Sequence, residues 1–209
     1  MRPLRHYATI SRTRQVLSPF VGSAPARPRD LVADFVVPPV APTGPSDRAC
    51  AGTPRDAAAF GDVVLIAVPY SALPRVGRDL AGQFKGKVVI DACNPYVSRD
   101  GDIAAWARQK AAGLASAELL PGARLVRAFN AIGYSRLPEI AQERRGRVGM
   151  PMAGDDPRAN AVASRLVRDI GFEPVVIGPM AMGRYLIPGT RLAGEQSPEE
   201  IRKILTTLK

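Results

Sequence analysis

The residues of this chain best suited to chemistry stand at the ends of three apolar runs. Val63 to Val68 stops at Pro69-Tyr70. Val88-Val89-Ile90 passes through Asp91-Ala92-Cys93 to Asn94-Pro95. Leu125 to Phe129 stops at Asn130-Ala131. A continuous apolar run predicts a strand buried on both faces, and ligands of a parallel α/β sheet sit at the carboxyl ends of such strands. Asn130 favours a ligand role, because an amide at the end of a buried strand is costly unless bonded. Asn94 reads equally as an Asx-turn former, and Pro69 and Pro95 equally as strand stops. Asp91, inside an apolar strand, reads as a satisfied buried acid before a positioning group. None of these residues is an acid–base catalyst. His6 is the only histidine, which argues against a Ser-His-Asp hydrolase and a multi-histidine metal centre. Cys50 and Cys93 form no closely spaced pair, so they predict free thiols in a reducing, cytoplasmic compartment.

The elements that must hold these residues follow from local signals. Thr53 caps a short helix with Pro54 at its first position and Gly61 after its end. Further helices are expected from Ser71 (carrying Leu73, Val76 and Leu80), over 103–111 with Trp106 inward, over 116–120, and over 134–142. Strands are expected at 63–68, 88–92, 125–129, 148–153 and 174–177. Asp156-Pro157 starts the clearest helix, with Val162, Ala163, Leu166, Val167 and Ile170 on one stripe and Gly171 at its end. Ser197-Pro198-Glu199-Glu200 is a capping box opening a last helix to about residue 207.

Residues 1–50 differ from the rest. Prolines at 3, 19, 25, 28, 38, 39, 42 and 45 interrupt helices and sheet ladders. This segment is expected to be mostly irregular, with 1–29 mobile, Leu31–Val37 its one candidate strand, and 51–209 the ordered body. Its basic, acid-poor composition also fits a transit peptide, although prolines break the amphipathic period. The formal charge of +10 owes much to this tail: without the six arginines of residues 1–29, 23 basic side chains face 19 acidic ones, a balance of +4. That argues against specific nucleic-acid binding, and no interleaved aromatics or reading motif supports it. No apolar stretch is long enough to span a bilayer.

Several pieces together carry a family resemblance. These are Ala51-Gly52-Thr53-Pro54, Asp62 to Tyr70, Val88 to Pro95, Leu119 to Asn130, Met152-Ala153-Gly154-Asp155-Asp156 and Gly171 to Val175. In order and spacing the chain resembles the NADP oxidoreductases that act with coenzyme F420. The cytoplasmic domain of six-transmembrane metalloreductases is similar too. The resemblance implies an α/β, Rossmann-like parallel sheet with flanking helices. It places Val68, Pro69 and Tyr70 along the adenosine-ribose and pyrophosphate side, Asn94 and Pro95 beside the nicotinamide ribose, and Ala128, Asn130 and Ala131 under the nicotinamide ring. It also implies that Met180 to Leu192 closes over a second ring, although core packing is the preferred role for Met180, Met182, Tyr185 and Leu186.

The chain departs from the family at its front. The first βαβ unit is absent or degenerate: the only early glycines, Gly22 and Gly44, do not form the Gly-x-Gly-x-x-Gly turn whose amides bind pyrophosphate. Gly82 to Lys87 reads as a surface turn, not a phosphate loop. Loss of the first strand would also expose an edge of the 63–68 strand. Leu31–Val37 fills that edge, or a partner does, or the tail is a frame-shifted product. Two functions follow. One is hydride transfer between NADP(H) and a deazaflavin (coenzyme F420) or related acceptor, impaired by weak or lost NADP binding, needing no acid–base residue because the cofactors supply the chemistry. The other is a non-catalytic dinucleotide-fold protein. The hydride acceptor is a small molecule, and a homodimer is left open.

Overall fold

The computed structural model describes residues 7–11, 52–143 and 148–208. These contain six strands: β1 Tyr7–Ser11, β2 Val63–Ala67, β3 Val88–Asp91, β4 Arg124–Arg127, β5 Gly149–Ala153 and β6 Glu173–Gly178. The helices are α1 Pro54–Phe60, α2 Leu73–Phe84, α3 Val97–Asp100, α4 Asp102–Lys110, α5 Ala112–Leu119, α6 Leu137–Glu143, α7 Pro157–Ile170 and α8 Pro198–Leu205. Two 3-10 turns, Tyr70–Ala72 and Met180–Tyr185, complete the described elements. The strands form one sheet in the order β1-β2-β3-β4-β5-β6, a Rossmann-like α/β arrangement.

Strand alternation divides the core. Val64, Ile66, Val89 and Leu125 face one side, against Ala58 of α1, Leu73, Val76, Leu80 and Phe84 of α2, Ala107 of α4 and Ala115 of α5. Val63, Val88, Ile90 and Val126 face the other, against Ile140 of α6 and Ala159, Ala163 and Val167 of α7. Each fully buried Val, Leu, Ile or Phe contributes roughly 1.5–3 kcal/mol. A third cluster joins Val175 and Ile177 of β6 to Leu186, Leu192 and Ile201 of α8.

Local signals set the helix ends as expected. Thr53 with Asp56, and Ser197 with Glu200, form reciprocal capping boxes. Asp156 caps α7 through the amides of Arg158 and Ala159, and Gly171 ends it in the left-handed region at φ 106°. The Asp156 carboxylate also takes Arg124 Nε of β4 at 2.5 Å, tying α7 to the sheet.

Four expectations need correction. The slot beside β2 is filled by Tyr7–Ser11, pairing in parallel from Tyr7↔Val63 to Ser11↔Ala67. Thus one strand stands inside the stretch expected to be mostly irregular; it was hidden by brevity and by the arginines and prolines around it. Leu31–Val37 lies outside the described residues. The sheet is not wholly parallel: β4 and β5 run antiparallel and meet at one pair, Arg127↔Ala153. Helix α6 begins at Leu137, not Tyr134, which puts Pro138 in the first turn, where its missing N–H costs little. Helix α5 begins four residues before the expected Ser116.

The first turn of α5 packs closely against another element at Gly113. A Cβ at Gly113 would lie 2.0 Å from the Met180 carbonyl oxygen and 3.2 Å from the Gly183 Cα, so only glycine lets the Met180–Tyr185 turn lie on this helix. Gly113→Ala is expected to destabilise the protein by about 1–3 kcal/mol through overpacking, despite alanine's better helix propensity. Urea unfolding measures this; a variant as stable as wild type would show that the turn moves freely.

Candidate functional site

The carboxyl ends of β3 and β4 carry a buried polar cluster. Asp91 and Arg127 are the last residues of their strands and are register partners. Each lies two residues beyond an apolar residue, Val89 or Leu125, of the α2-side core, so both side chains point to that face. Arg127 Nη1 donates to Asp91 Oδ2, and both side chains are fully buried. Arg127 Nη2 lies within reach of three acceptors: the Cys93 carbonyl at 2.8 Å, Asn94 Oδ1 at 3.3 Å and the Leu186 carbonyl at 3.3 Å. Asp91 Oδ1 accepts the Cys93 amide at 2.8 Å.

The two asparagines interlock above this pair. Asn94 Nδ2 donates to the Asn130 carbonyl at 2.9 Å. Asn130 Nδ2 donates to the Cys93 carbonyl at 3.2 Å, whereas Asn130 Oδ1 is buried without a hydrogen-bond partner among the described residues. Phe129, just before it, holds φ at 66°, in the left-handed region, which a bulky residue occupies only under strain. That turn redirects the chain from β4 and sets Asn130 facing β3. The Cys93 thiol donates to the Ile66 carbonyl and accepts the Val68 amide, both at 3.4 Å. Burial, with the nearby Asp91 charge, pushes its pKa well up, so it remains a neutral thiol and no nucleophile.

A second cluster lies beside the end of β2. The Asp100 carboxylate, its side chain fully buried, accepts Ser71 N at 3.3 Å, Ser71 Oγ at 3.0 Å, Tyr96 N at 3.3 Å and Arg99 Nη2 at 2.7 Å. Arg99 also donates to the Asn94 carbonyl at 2.8 Å, with its guanidinium carbon 5.0 Å from the Tyr96 ring centre. Burial pushes the Asp100 carboxyl up, but Arg99 and Ser71 outweigh it and hold it below the ordinary 3.8. A carboxyl lowered by folding stabilises the fold above its unfolded pKa and loses that stabilisation as pH falls through the folded value. The stability advantage of wild type over Asp100→Asn should therefore be full near neutrality and shrink below about pH 4. Thermal unfolding across pH measures it; a constant advantage down to pH 2 would contradict the assignment.

The residues singled out from sequence fall as follows. Asn94, Pro95, Ala128, Asn130 and Ala131 gather at the ends of β3 and β4, Ala131 accepting the Gly194 amide at 2.8 Å. Val68 and Pro69 follow β2; Val68 is buried, and the Pro69 carbonyl accepts the Ala72 amide at 2.9 Å. Tyr70 is buried in the α2-side core, its hydroxyl bonded to Ser116 Oγ at 3.0 Å and the Ala112 carbonyl at 3.2 Å, so that side chain is committed inside the fold. Met180 and Leu186 are core residues, in accord with the packing role preferred for them. Sequence reasoning missed Arg127 and Asp100. The signal for Arg127 was available: an acid and a base each end an apolar run on strands expected to be adjacent.

These groups fit half of a dinucleotide. Asn130 Oδ1 is an acceptor of the kind that pairs with a carboxamide N–H or a ribose hydroxyl. In the turn after β2, the Ser71 amide and hydroxyl are taken by the chain's own Asp100 carboxylate. No helix among the described residues is long and apolar enough to cross a membrane.

Comparison with known proteins agrees with this fold. Residues 40–95, running through β2 and β3 to Pro95, match the family model described as NADP oxidoreductase coenzyme F420-dependent. The rat metalloreductase STEAP3 is 31% identical over 133 residues, 62% of this chain but only 25% of its own length, so the chain spans about a quarter of that relative. A hypothetical protein of Sinorhizobium meliloti superposes with a TM-score of 0.55 at 26% identity, over 69% of this chain and 70% of that one. An Arthrobacter protein provisionally assigned as an F420-dependent NADP-reductase superposes with a TM-score of 0.54 at 19% identity, over 64% and 62% of the two chains, which speaks to fold alone. The resemblance to the F420-dependent NADP oxidoreductase family is thus borne out, and the chain is similar to NADP-dependent, dinucleotide-binding oxidoreductases.

Proposed function

We propose that this chain transfers a hydride between NADP(H) and a deazaflavin of the coenzyme F420 class, with the phosphate half of its dinucleotide site weakened. The observation that carries this reading is Asn130 Oδ1, a buried acceptor without a partner among the described residues, at the carboxyl edge of the sheet. The nicotinamide end lies on Asn94, Pro95, Ala128, Asn130 and Ala131, and the adenosine side runs along Val68, Pro69 and the main chain of Tyr70. When bound, the nicotinamide supplies or takes up the hydride. The chain's residues bind, orient and exclude water; the buried Cys93 stays protonated, and no side chain is asked to move a proton. Residues 51–209 form the binding domain of a cytoplasmic protein, as a monomer or homodimer.

A second reading has its own support. Asp100 accepts both the amide and the hydroxyl of Ser71 in the turn after β2, which leaves those donors unavailable to a ligand and suits a dinucleotide fold that has lost its cofactor. Absorbance assays of NADPH consumption with a deazaflavin acceptor distinguish the two. The first reading expects slow turnover, with kcat/KM falling about tenfold in Asn130→Ala, the loss of one hydrogen bond. No turnover at saturating NADPH and acceptor would favour the non-catalytic protein.

A further inference from the structure

We infer that Arg127 is a positioning residue that joins the Met180–Tyr185 turn to the strand ends and thereby holds Asn130 in place; the inference rests on the proposed nicotinamide site. Its guanidinium is fully buried and joins the end of β4 to two other parts of the chain. These are the 91–94 segment, through Asp91, the Cys93 carbonyl and the Asn94 side chain, and the Leu186 carbonyl at the end of the turn. The Cys93 carbonyl is the shared point, because it also accepts Asn130 Nδ2 at 3.2 Å. Asn94 closes the loop: its Oδ1 takes Arg127, and its Nδ2 holds the Asn130 carbonyl at 2.9 Å. One planar fork therefore fixes both asparagines and the turn together.

The turn is also held by core packing of Met180, Met182 and Tyr185 and by Thr190 Oγ1, which donates to the Tyr185 carbonyl at 2.6 Å. The Met180 amide donates to Asp155 Oδ1 at 2.9 Å, and Gly183 packs against Gly113 and the Arg127 side chain. Beyond it, the Gly194 amide reaches back to the Ala131 carbonyl at 2.8 Å, so 180–194 returns to the residue after Asn130. An ion pair alone would not need this geometry. Lysine would keep the charge opposite Asp91 but lacks the guanidinium's fixed, planar set of donors.

The test compares full-length wild type with Arg127→Lys, and uses Asp91→Asn/Arg127→Met as a second variant. The latter removes both charges and keeps an oxygen for the Cys93 amide, so it leaves no uncompensated buried charge. Amide hydrogen exchange is read on the cofactor-free protein. The expected result is at least a tenfold faster exchange at Met182, Leu186 and Gly194, with β2 and α7 unchanged, in whichever variant folds. Unchanged protection across 180–194, or acceleration spread evenly over the whole fold, would overturn the inference. NADPH titration supplies the second arm: Asn130→Ala should weaken binding about tenfold in wild type and have no further effect in the Arg127 variant. Equal Asn130 dependence in both backgrounds would also overturn it. Absence of NADPH binding to wild type would sink the functional reading alone, because the exchange arm needs no cofactor.

Discussion

Asp91→Ala is expected to destabilise the protein by about 3–5 kcal/mol, the cost of leaving one member of a buried ion pair without its partner. The size follows from the surroundings. Arg127 and Asp91 are both fully buried, so water cannot replace the lost carboxylate. The same substitution removes the acceptor of the Cys93 amide, whose carbonyl holds both Arg127 and Asn130. A buried donor left unsatisfied adds a cost of its own. Asp91→Asn should cost less, because its oxygen can still accept the Cys93 amide. Urea unfolding at neutral pH checks both. A loss below about 1 kcal/mol for Asp91→Ala would mean that the pair is hydrated, or that the strand ends rearrange around the hole.

The second large effect is on the cofactor. NADPH is expected to bind several kcal/mol more weakly than to a relative that has the glycine-rich turn. Charge-assisted hydrogen bonds from such a turn contribute roughly 1.5–3 kcal/mol each. This chain has no Gly-x-Gly-x-x-Gly sequence, and at the turn after β2 the Ser71 amide and hydroxyl are bonded to Asp100. A phosphate arriving there would find the Ser71 donors already taken by Asp100, which is itself paired with Arg99. In the proposed site the nicotinamide end keeps Asn130 Oδ1 as its acceptor, so the loss should fall on the phosphate end, and free nicotinamide mononucleotide should lose less affinity than the dinucleotide.

Much of the fold was legible because its signals are local. Thr53 and Asp56, Ser197 and Glu200, and Asp156 with Gly171 act within a few residues, and each sets the helix end expected of it. The buried strands were legible from continuous apolar runs. What was missed depends on partners distant in sequence. Tyr7–Ser11 becomes a strand only by pairing with β2, more than fifty residues on. Gly113 looks unfavourable for a helix until Met180 is seen against it. Asn94 and Asn130 were legible as polar strand ends, but their interlock, and Arg127 beneath them, depends on the register of β3 against β4. Asp100 meets Ser71 across twenty-nine positions, which no spacing rule would find.

Calorimetric titration of NADPH into the wild type and Asn130→Ala tests the central claim most directly. The claim is a nicotinamide half organised on Asn130 and a phosphate half that is lost. It predicts wild-type binding weaker than micromolar, and a further loss of about tenfold in the variant. Micromolar or tighter binding by wild type, or identical affinity in the two proteins, would contradict it.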